Sequence, residues 1–341
     1  MRSLAPSAHA DLPENELLQM MPIDPVRYPT LVLALGGNAL IRPGEPGTLE
    51  AQYARIRQAM AYTADLVAAG FACVLTHGNG PMVGQLLLQM DCARALVPPM
   101  PLFISDADTE GSLGYLIQQC LVNELRRRGQ TRGVATVITQ VVVASADPAF
   151  SAPDKPIGPF YHKGEVERLQ TERGWRLAED AGRGWRRVVP SPRPLTVVEQ
   201  GVISYLLRGG FIVIAAGGGG VPVVRREGGD LVGVEAVIDK DRTAAVLARE
   251  IAADLLIFLT AVDYVYLDYQ KSSQRPVETL TAAAAQKYLE AGHFAPGSMA
   301  PKMEAAIDFL SRGGKRVLIT QPESLALALQ GHAGTHIFPS R

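Results

Sequence analysis

Residues 30–37 read TLVLALGG, an apolar run that ends in two glycines. Such a run, closed by a tight turn, is typical of a strand buried on both faces of a sheet. The pattern returns at residues 71–80, FACVLTHGNG, and at residues 211–220, FIVIAAGGGG. Helix-like segments follow or precede these runs. The alternation therefore predicts an α/β fold with a mainly parallel sheet and helices on both faces.

The remaining regular elements continue this alternation. Helices are predicted at about residues 49–69, 80–94, 111–128, 196–208, 240–252, 302–312 and 323–330, and strands at about 134–143, 255–260 and 316–320. Residues 147–194 hold seven prolines and both tryptophans, which excludes a long helix there. We interpret this segment as an inserted, protruding subdomain that forms a lid, with a long surface loop as the alternative. Residues 1–29 are interpreted as a flexible arm.

Composition limits the class of protein. The chain has 341 residues, 47% of them apolar and 20% charged, which suits a folded domain with a large core. A formal net charge of −1 argues against a nucleic-acid partner bound through a basic surface. No apolar stretch is long enough to predict a membrane span. Three cysteines without a CxxC pair argue against a disulfide framework or zinc site and fit a cytoplasmic protein.

Glycine-rich turns follow the three apolar runs, and we expect them to bind a phosphate. Their residues are Gly36, Gly37, Asn38, Gly78, Asn79, Gly80, Gly217, Gly218 and Gly219. Glycine lets the backbone approach a ligand, and the N–H groups of a following helix favour an anion. The alternative is that glycine serves only the shape of each turn. Neither a Walker A loop nor a GxGxxG fingerprint after the first strand is present, so the phosphate site must be of another type.

Two lysines are candidates for stabilising charge on a transferred phosphoryl group. Lys240 lies between Asp239 and Asp241, which can orient it, hold Mg²⁺, or simply cap a helix. Lys302 lies in the first turn of a predicted helix, an unfavourable end of the dipole for a cation unless an anion binds nearby. His77 can donate to a substrate or merely cap its turn.

Several ordered stretches carry a resemblance to a known family. They include GGNAL at residues 36–40, THGNGP at 76–81, TQVVV at 139–143, KPIGPFY at 155–161, WRRVVPSP at 185–192, VEAVIDKD at 234–241 and HFAPGSM at 293–299. From residue 31 to the C-terminus, the chain resembles the carbamate kinases of the amino acid kinase superfamily.

The resemblance implies a three-layer αβα sandwich around a mainly parallel sheet, with residues 147–194 protruding, and a homodimer. It implies a reversible reaction in which carbamoyl phosphate and ADP give ATP and carbamate, which yields ammonia and CO₂. Mg²⁺ is implied mainly on the nucleotide phosphates, without protein ligands. In arginine, agmatine or allantoin-type catabolism, the direction is usually ATP synthesis.

The resemblance also implies roles for individual residues. Lys240 and Lys302 would be catalytic, with Asp241 orienting them. The first two glycine turns would hold the transferred phosphoryl group and carbamate. His77 and the third turn are also predicted to bind substrate or phosphate. The nucleotide site would comprise Thr260, Val262, Asp263, Tyr266, Gly297, Ser298 and Met299.

Two departures from the family pattern concern charge. Ser145 stands where the family usually carries a lysine that is thought to reach the phosphate. Residues 103–111 read FISDADTEG, which we interpret as a loop that has gained three acids, Asp106, Asp108 and Glu110, relative to the family pattern. A lost cation at a phosphate costs about 2–4 kcal/mol of transition-state stabilisation. The alternatives are therefore a kinase for another small carbamate-like or carboxylate acceptor, or a catalytically weakened ligand-binding homologue.

Overall fold

Strands and helices alternate along the part of the chain described by a computed structural model, residues 22–37, 48–180 and 182–340. Its strands are β1 (Thr30–Leu35), β2 (Ala72–His77), β3 (Val134–Thr136), β4 (Gln140–Val143), β5 (Lys155–Tyr161), β6 (Arg176–Glu179), β7 (Trp185–Val189), β8 (Pro194–Val197), β9 (Ile212–Ile214), β10 (Val221–Arg225), β11 (Leu231–Gly233), β12 (Leu255–Leu259), β13 (Val265–Leu267), β14 (Arg275–Val277), β15 (Thr279–Thr281), β16 (Arg316–Thr320) and β17 (Thr335–Phe338). Its α-helices are α1 (Leu49–Ala68), α2 (Gly80–Ala93), α3 (Leu102–Arg127), α4 (Val166–Arg173), α5 (Gln200–Arg208), α6 (Lys240–Glu250), α7 (Ala282–Glu290), α8 (Met299–Ser311) and α9 (Leu325–Leu329).

Eight of the described strands form the main sheet, in the order β15–β17–β16–β12–β1–β2–β9–β3. Neighbouring pairs in it are parallel except β16 and β17. Side chains of β1 alternate between two apolar clusters: Val32 and Ala34 join one that contains Leu247 of α6, and Leu33 joins one that contains Ile56 of α1. Helices therefore cover both faces, and the predicted three-layer αβα sandwich around a mainly parallel sheet is confirmed.

The predicted insertion forms a sheet of its own. Strands β5, β7 and β6 form an antiparallel sheet, with α4 between β5 and β6 in the chain. The alternative of a long surface loop is therefore wrong for residues 155–189. Helix α2 approaches β5 closely, because a Cβ built on Gly84 would lie 3.4 Å from the Gly158 Cα. This sheet, called the lid below, is thus packed against the helix that follows the second glycine turn.

The end of the predicted N-terminal arm packs onto the domain. Ile23 and Tyr28 are buried, and the Ile23 N–H donates to the Leu329 carbonyl at 2.7 Å. Residues 22–29 therefore belong with the body, which shortens the predicted arm. Residues 1–21 lie outside the described residues.

Several element boundaries differ from the predicted ones. Helix α3 begins at Leu102 rather than Gly111, because two of its acids, Asp106 and Glu110, lie on the buried face and hide the apolar periodicity. The predicted strand over 134–143 is two strands in different sheets, since the chain turns at Thr139. The predicted helix over 196–208 begins only at Gln200. The turn at residues 217–220 leads into β10 and not into a helix.

The cysteines and the helices also bear on the expectations from composition. Cys73, Cys92 and Cys120 are unpaired thiols. Burial raises the pKa of Cys73 to about 12, so this thiol is inert, as its apolar surroundings predict. None of the helices in the described part of the chain has the length and apolar character needed to cross a bilayer.

Candidate functional site

The first two glycine turns meet at the carboxyl ends of the adjacent parallel strands β1 and β2. A Cβ built on Gly36 would lie 2.7 Å from the Leu259 carbonyl oxygen, so only glycine fits there. A Cβ on Gly78 would lie 3.3 Å from Lys240 Cδ and 3.5 Å from the Gly37 nitrogen. These glycines let two backbones and a lysine stem converge. Asn38 lies outside the described residues.

A cavity of about 330 Å³ opens beyond these turns. Its lining includes most of the predicted site, namely Gly36, Gly37, Gly78, Asn79, Gly80, Gly218, Lys240, Asp241, Thr260, Gly297, Ser298 and Lys302, together with Lys155, Asp239 and others. We call it the active-site cavity. It lies at the topological position where open α/β sheets bind ligands.

Two predicted lysines share one carboxylate in this cavity. Lys240 and Lys302 donate to opposite oxygens of Asp241, and the Lys302 Nζ–Asp241 Oδ2 distance is 2.9 Å. Lys240 and Asp241 begin helix α6, and Lys302 lies in the first turns of α8. Burial lowers the pKa of Lys302, and the charge of Lys240 lowers it further, against the opposing effect of Asp241. The three side chains form one electrostatic unit.

A third lysine reaches the cavity from the lid. Lys155, at the start of β5, donates to Asp239 Oδ2 at 2.8 Å. Burial by itself would raise the pKa of Asp239, but the charge and hydrogen bond of Lys155 bring it down to about 2. Sequence reasoning gave Lys155 no role, although it lies in one of the stretches that carried the resemblance.

Ser145 lies away from this chemistry. Its side chain is exposed, and it is not among the residues that line the active-site cavity. In this geometry the lid residue that brings a cation to the cavity is Lys155, which belongs to a stretch shared with the family, whereas residue 145 does not reach the cavity.

The third glycine turn supports the site mainly from beneath. Of its three glycines, Gly218 lines the cavity. A Cβ on Gly217 would lie 2.4 Å from His77 Nε2, and a Cβ on Gly219 would lie 2.4 Å from the Ile238 carbonyl oxygen. Close packing explains both glycines in this geometry, and their contact with a phosphate stays a prediction.

His77 is likewise structural in this arrangement. It is 1% exposed and lies outside the lining of the active-site cavity, with Nδ1 3.2 Å from the Gly78 carbonyl oxygen. Burial lowers the pKa of His77 to about 4, so the ring is neutral at physiological pH. The last residue of β2 points into the packed interior, and substrate binding by His77 stays a prediction.

A second, smaller cavity of about 210 Å³ adjoins the first and shares Thr260, Ala261, Ser298 and Lys302 with it. Its lining adds the predicted residues Val262, Tyr266 and Met299, and the unpredicted residues Tyr269, His293 and Phe294. Its size and its aromatic and apolar lining suit a nucleotide base.

Asp263 does not line that smaller cavity. Its Oδ1 accepts a hydrogen bond from the Tyr266 hydroxyl at 2.8 Å and one from the Tyr264 N–H at 3.0 Å. The bond from Tyr266 fixes a residue of the cavity wall. Asp263 is therefore placed to orient Tyr266, and its direct contact with a nucleotide stays a prediction.

The unusual acids lie in helix α3, not in a loop. Asp106 and Glu110 are each 2% exposed, whereas Asp108 is exposed. Asn79 Nδ2 donates to Thr109 Oγ1 at 2.9 Å and lies 3.5 Å from Asp106 Oδ1. Burial raises the pKa of Asp106 to about 8 and raises that of Glu110 well above its usual range. Asp106 therefore favours its protonated form at neutral pH, beneath a residue of the cavity wall, and burial disfavours the charged form of Glu110.

These raised pKa values predict a pH-dependent stability. Between pH 4 and 8, the folded state keeps the Asp106 proton that the unfolded state releases, so the free energy of unfolding falls as pH rises, by up to ~1.4 kcal/mol per pH unit. The neutral variant Asp106→Asn lacks this term. We expect its stability relative to wild type to improve steadily over this range in urea unfolding. Asp108→Asn, on the exposed face of the same helix, should track wild type; parallel curves for all three proteins would contradict the assignment.

Comparisons with known proteins agree with this geometry. The sequence model of the Amino acid kinase family matches residues 29–321. A carbamate kinase of Pyrococcus horikoshii is 47% identical over 311 residues, which cover 91% of this chain and 99% of that protein. The carbamate kinase-like protein YahI of Escherichia coli is 46% identical over 310 residues, with 90% and 98% covered.

A solved structure shows the same arrangement of elements. Carbamate kinase from Giardia lamblia bound to AMP-PNP superposes with a TM-score of 0.86 at 39% identity, covering 92% of this chain and 99% of that one. Sequence and structure therefore resemble the same group of enzymes over nearly the whole chain.

Proposed function

The chain belongs to the amino acid kinase family, and from this premise we propose that it acts as a carbamate kinase, interconverting carbamoyl phosphate plus ADP with ATP plus carbamate. The observation that carries the proposal is the cluster of Lys240, Lys302 and Lys155 beside the glycine turns, next to a cavity suited to a nucleotide base. Curated carbamate kinases at 47% identity support it.

The geometry suggests how the residues divide the work. In the forward direction, the phosphoryl group leaves the carbamate oxygen and joins a β-phosphate oxygen of ADP. Catalysis of this transfer rests on positioning and on charge stabilisation. The Gly36–Gly37 and Gly78–Gly80 turns bring backbone N–H groups towards the group in transit. Lys240 and Lys302 supply positive charge on one side and Lys155 on the lid side.

Asp241 is assigned a positioning role. Because it accepts from both lysines, it holds two ammonium groups at fixed places despite their repulsion. A lysine pair held in place before substrate binds need not reorganise during the reaction, which is the condition for strong electrostatic catalysis.

Mg²⁺ is proposed to enter with the nucleotide. Both carboxylates of the active-site cavity, Asp239 and Asp241, are already paired with lysines. Within the described residues, no group of three or more His, Cys, Asp or Glu side chains comes together as a metal site. Nucleotide phosphates are oxygen ligands that Mg²⁺ prefers, and the ion would offset their charge.

The direct test is a coupled assay for ATP formation from carbamoyl phosphate and ADP with purified protein and Mg²⁺. We expect turnover in proportion to enzyme concentration. If the nucleotide binds but no ATP forms at any enzyme concentration, the proposal fails.

A second candidate function is a kinase for another small carbamate-like or carboxylate acceptor. The observation that favours it is the protonated Asp106, which lies next to Asn79 of the cavity wall, in a stretch that departs from the family pattern. An acceptor panel assayed with ATP decides: phosphorylation of carbamate alone would exclude this candidate.

Two substitutions compare Lys155 with residue 145, where the family usually carries a lysine. Lys155→Gln should lower kcat/KM for carbamoyl phosphate by about 10- to 100-fold, since a charged hydrogen bond to phosphate is lost. Ser145→Lys should leave kcat/KM within about twofold, because residue 145 points to solvent. Steady-state kinetics on both variants provide the measurement. A gain of activity in Ser145→Lys from an inactive wild type would instead support a weakened homologue.

We further propose a cytoplasmic homodimer that takes part in arginine-type catabolism. Exposed apolar side chains surround β3, which ends the main sheet: Tyr115, Ile138, Val202, Tyr205 and Phe211. A second copy of the chain would cover them. The unpaired thiols suit a reducing compartment. Sedimentation equilibrium tests the dimer, and a monomer at micromolar concentration would exclude it.

A further inference from the structure

A separate cavity of about 290 Å³ lies between the lid and the body, on the far side of the lid strand β5. Among its described lining residues, only Ile157 is shared with the active-site cavity, and none is shared with the base cavity. Its body wall comes from the end of α2 and the chain before α3. Its lid wall comes from β5, β7 and the end of α4.

Charged side chains from both walls converge in this cavity. Arg173 of the lid lies 3.5 Å from Asp91 Oδ1 of the body, and Arg187 of the lid lies 3.8 Å from Glu235 Oε2 of the body. Both ion pairs are long, and both cross between the lid and the body. With Arg94, the lining carries three guanidinium groups against two carboxylates.

Arg94 is the guanidinium group of this lining that pairs with neither of the two carboxylates. Among the described residues its guanidinium has no hydrogen-bond or ion-pair partner, although it lies at the end of α2 in the cavity wall. Burial lowers the pKa of Arg187, the charges of Glu235 and Tyr161 oppose this, and the nearby charge of Arg94 lowers it further. Two guanidinium groups that repel each other across a cavity are the arrangement in which an anion bound between them is favoured.

The rest of the lining is apolar and aromatic. Trp175 lies beneath the Arg187 guanidinium at 5.1 Å and faces Tyr161 at 6.1 Å between ring centroids. Met90, Pro99 and Met100 supply the opposite wall. A ligand with a charged head and an apolar body would be complementary to such a surface.

We propose that this cavity is a second binding site, for a small organic anion whose carboxylate or phosphate group lies between Arg94 and Arg187 and joins the lid to the body. The apolar part of the ligand packs between Trp175 and the methionine and proline side chains. Either anionic head group, a carboxylate or a phosphate, would bind the two arginines. One probe of each kind tells which head group the site prefers.

The same two elements connect this site to the active-site cavity. Strand β5 places Lys155 in the active-site cavity and Tyr161 in the second one. Helix α2 likewise runs from Gly80 at one cavity to Arg94 at the other. A ligand that bridges the second cavity therefore holds the strand that carries Lys155 against the helix that follows the second glycine turn.

The experiment uses Trp175 as its own reporter. Trp185→Phe leaves Trp175 as the single tryptophan of the chain. Its fluorescence is titrated with benzoate and with phenyl phosphate, and with neutral benzamide as the matched uncharged probe. We expect a saturable change with Kd of about 1 mM or tighter for at least one anion and none for benzamide.

Variants in the same background locate the site. Arg94→Gln removes a group without partners, so it should leave the fold intact and raise Kd at least tenfold; Arg187→Gln should raise it from the lid side. Arg168→Gln, an exposed arginine on α4, should leave Kd within twofold. The proposal is overturned if neither anion saturates, if benzamide binds equally well, or if Arg94→Gln leaves Kd unchanged. These readouts need no kinase activity, so they stand apart from the test of the proposed reaction.

Discussion

Replacing Lys240 by methionine is expected to lower kcat for ATP formation by about 10²- to 10³-fold, the effect of removing one preorganised charge from a phosphoryl-transfer site. The lysine stem packs against Gly78, with the built Cβ 3.3 Å from Lys240 Cδ, and methionine preserves most of that volume. The loss should therefore come from charge and not from a collapsed cavity.

The measurement is steady-state kinetics with carbamoyl phosphate and ADP, together with calorimetric binding of AMP-PNP. Lys287→Met, on the exposed face of α7, is the matched control and should keep wild-type kcat. We expect AMP-PNP binding to persist in Lys240→Met. Retention of more than a tenth of wild-type kcat would remove Lys240 from the catalytic group.

Asp241→Asn is expected to damage both stability and activity. Asp241 is buried and is the common partner of two ammonium groups, and Lys302 is itself nearly buried. Removing one member of a buried ion pair leaves uncompensated charge and typically destabilises a protein by about 3–5 kcal/mol. The side-chain volume barely changes, so the charge carries the effect.

The pH dependence of that loss gives a sharper criterion. Without Asp241, the folded state favours neutral Lys302, whereas the unfolded state binds a proton up to the usual lysine pKa of 10.5. The free energy of unfolding of Asp241→Asn should thus recover towards wild type as pH rises to about 10. Asp308→Asn, which breaks an exposed ion pair on α8, should cost at most about 1 kcal/mol in the same urea unfolding series. A deficit that is independent of pH would point to a cause other than buried charge.

The fold and the central site residues could be predicted from the sequence because the patterns that indicate them are formed by residues close together in the chain. Each apolar run ending in glycine specifies its own strand and turn. Lys240 and Asp241 are adjacent in the chain, and Lys302 stood out as a cation at an unfavourable helix end. Lys155 gave no comparable signal, since only the folding of the lid brings it to Asp239.

The errors have physical causes as well. The loop expected at residues 103–110 is part of α3, and its acids Asp106 and Glu110 are buried although acids are ordinarily exposed. Gly217 and Gly219 are predicted at the phosphate, and in the structure each also has a packing role, against His77 and against the Ile238 carbonyl. A glycine required for packing and a glycine required for a ligand look the same in a single sequence.

The contact between Lys155 and Asp239 has a consequence for how substrates enter. Asp239 Oδ1 caps helix α6, while Oδ2 accepts from the lid lysine. Before any phosphate binds, the Asp239 carboxylate occupies the place beside Lys155 that the substrate anion would take. The lid is therefore drawn over the cavity in advance. An incoming phosphate has only to exchange one oxygen partner for another, with little of the chain left to order.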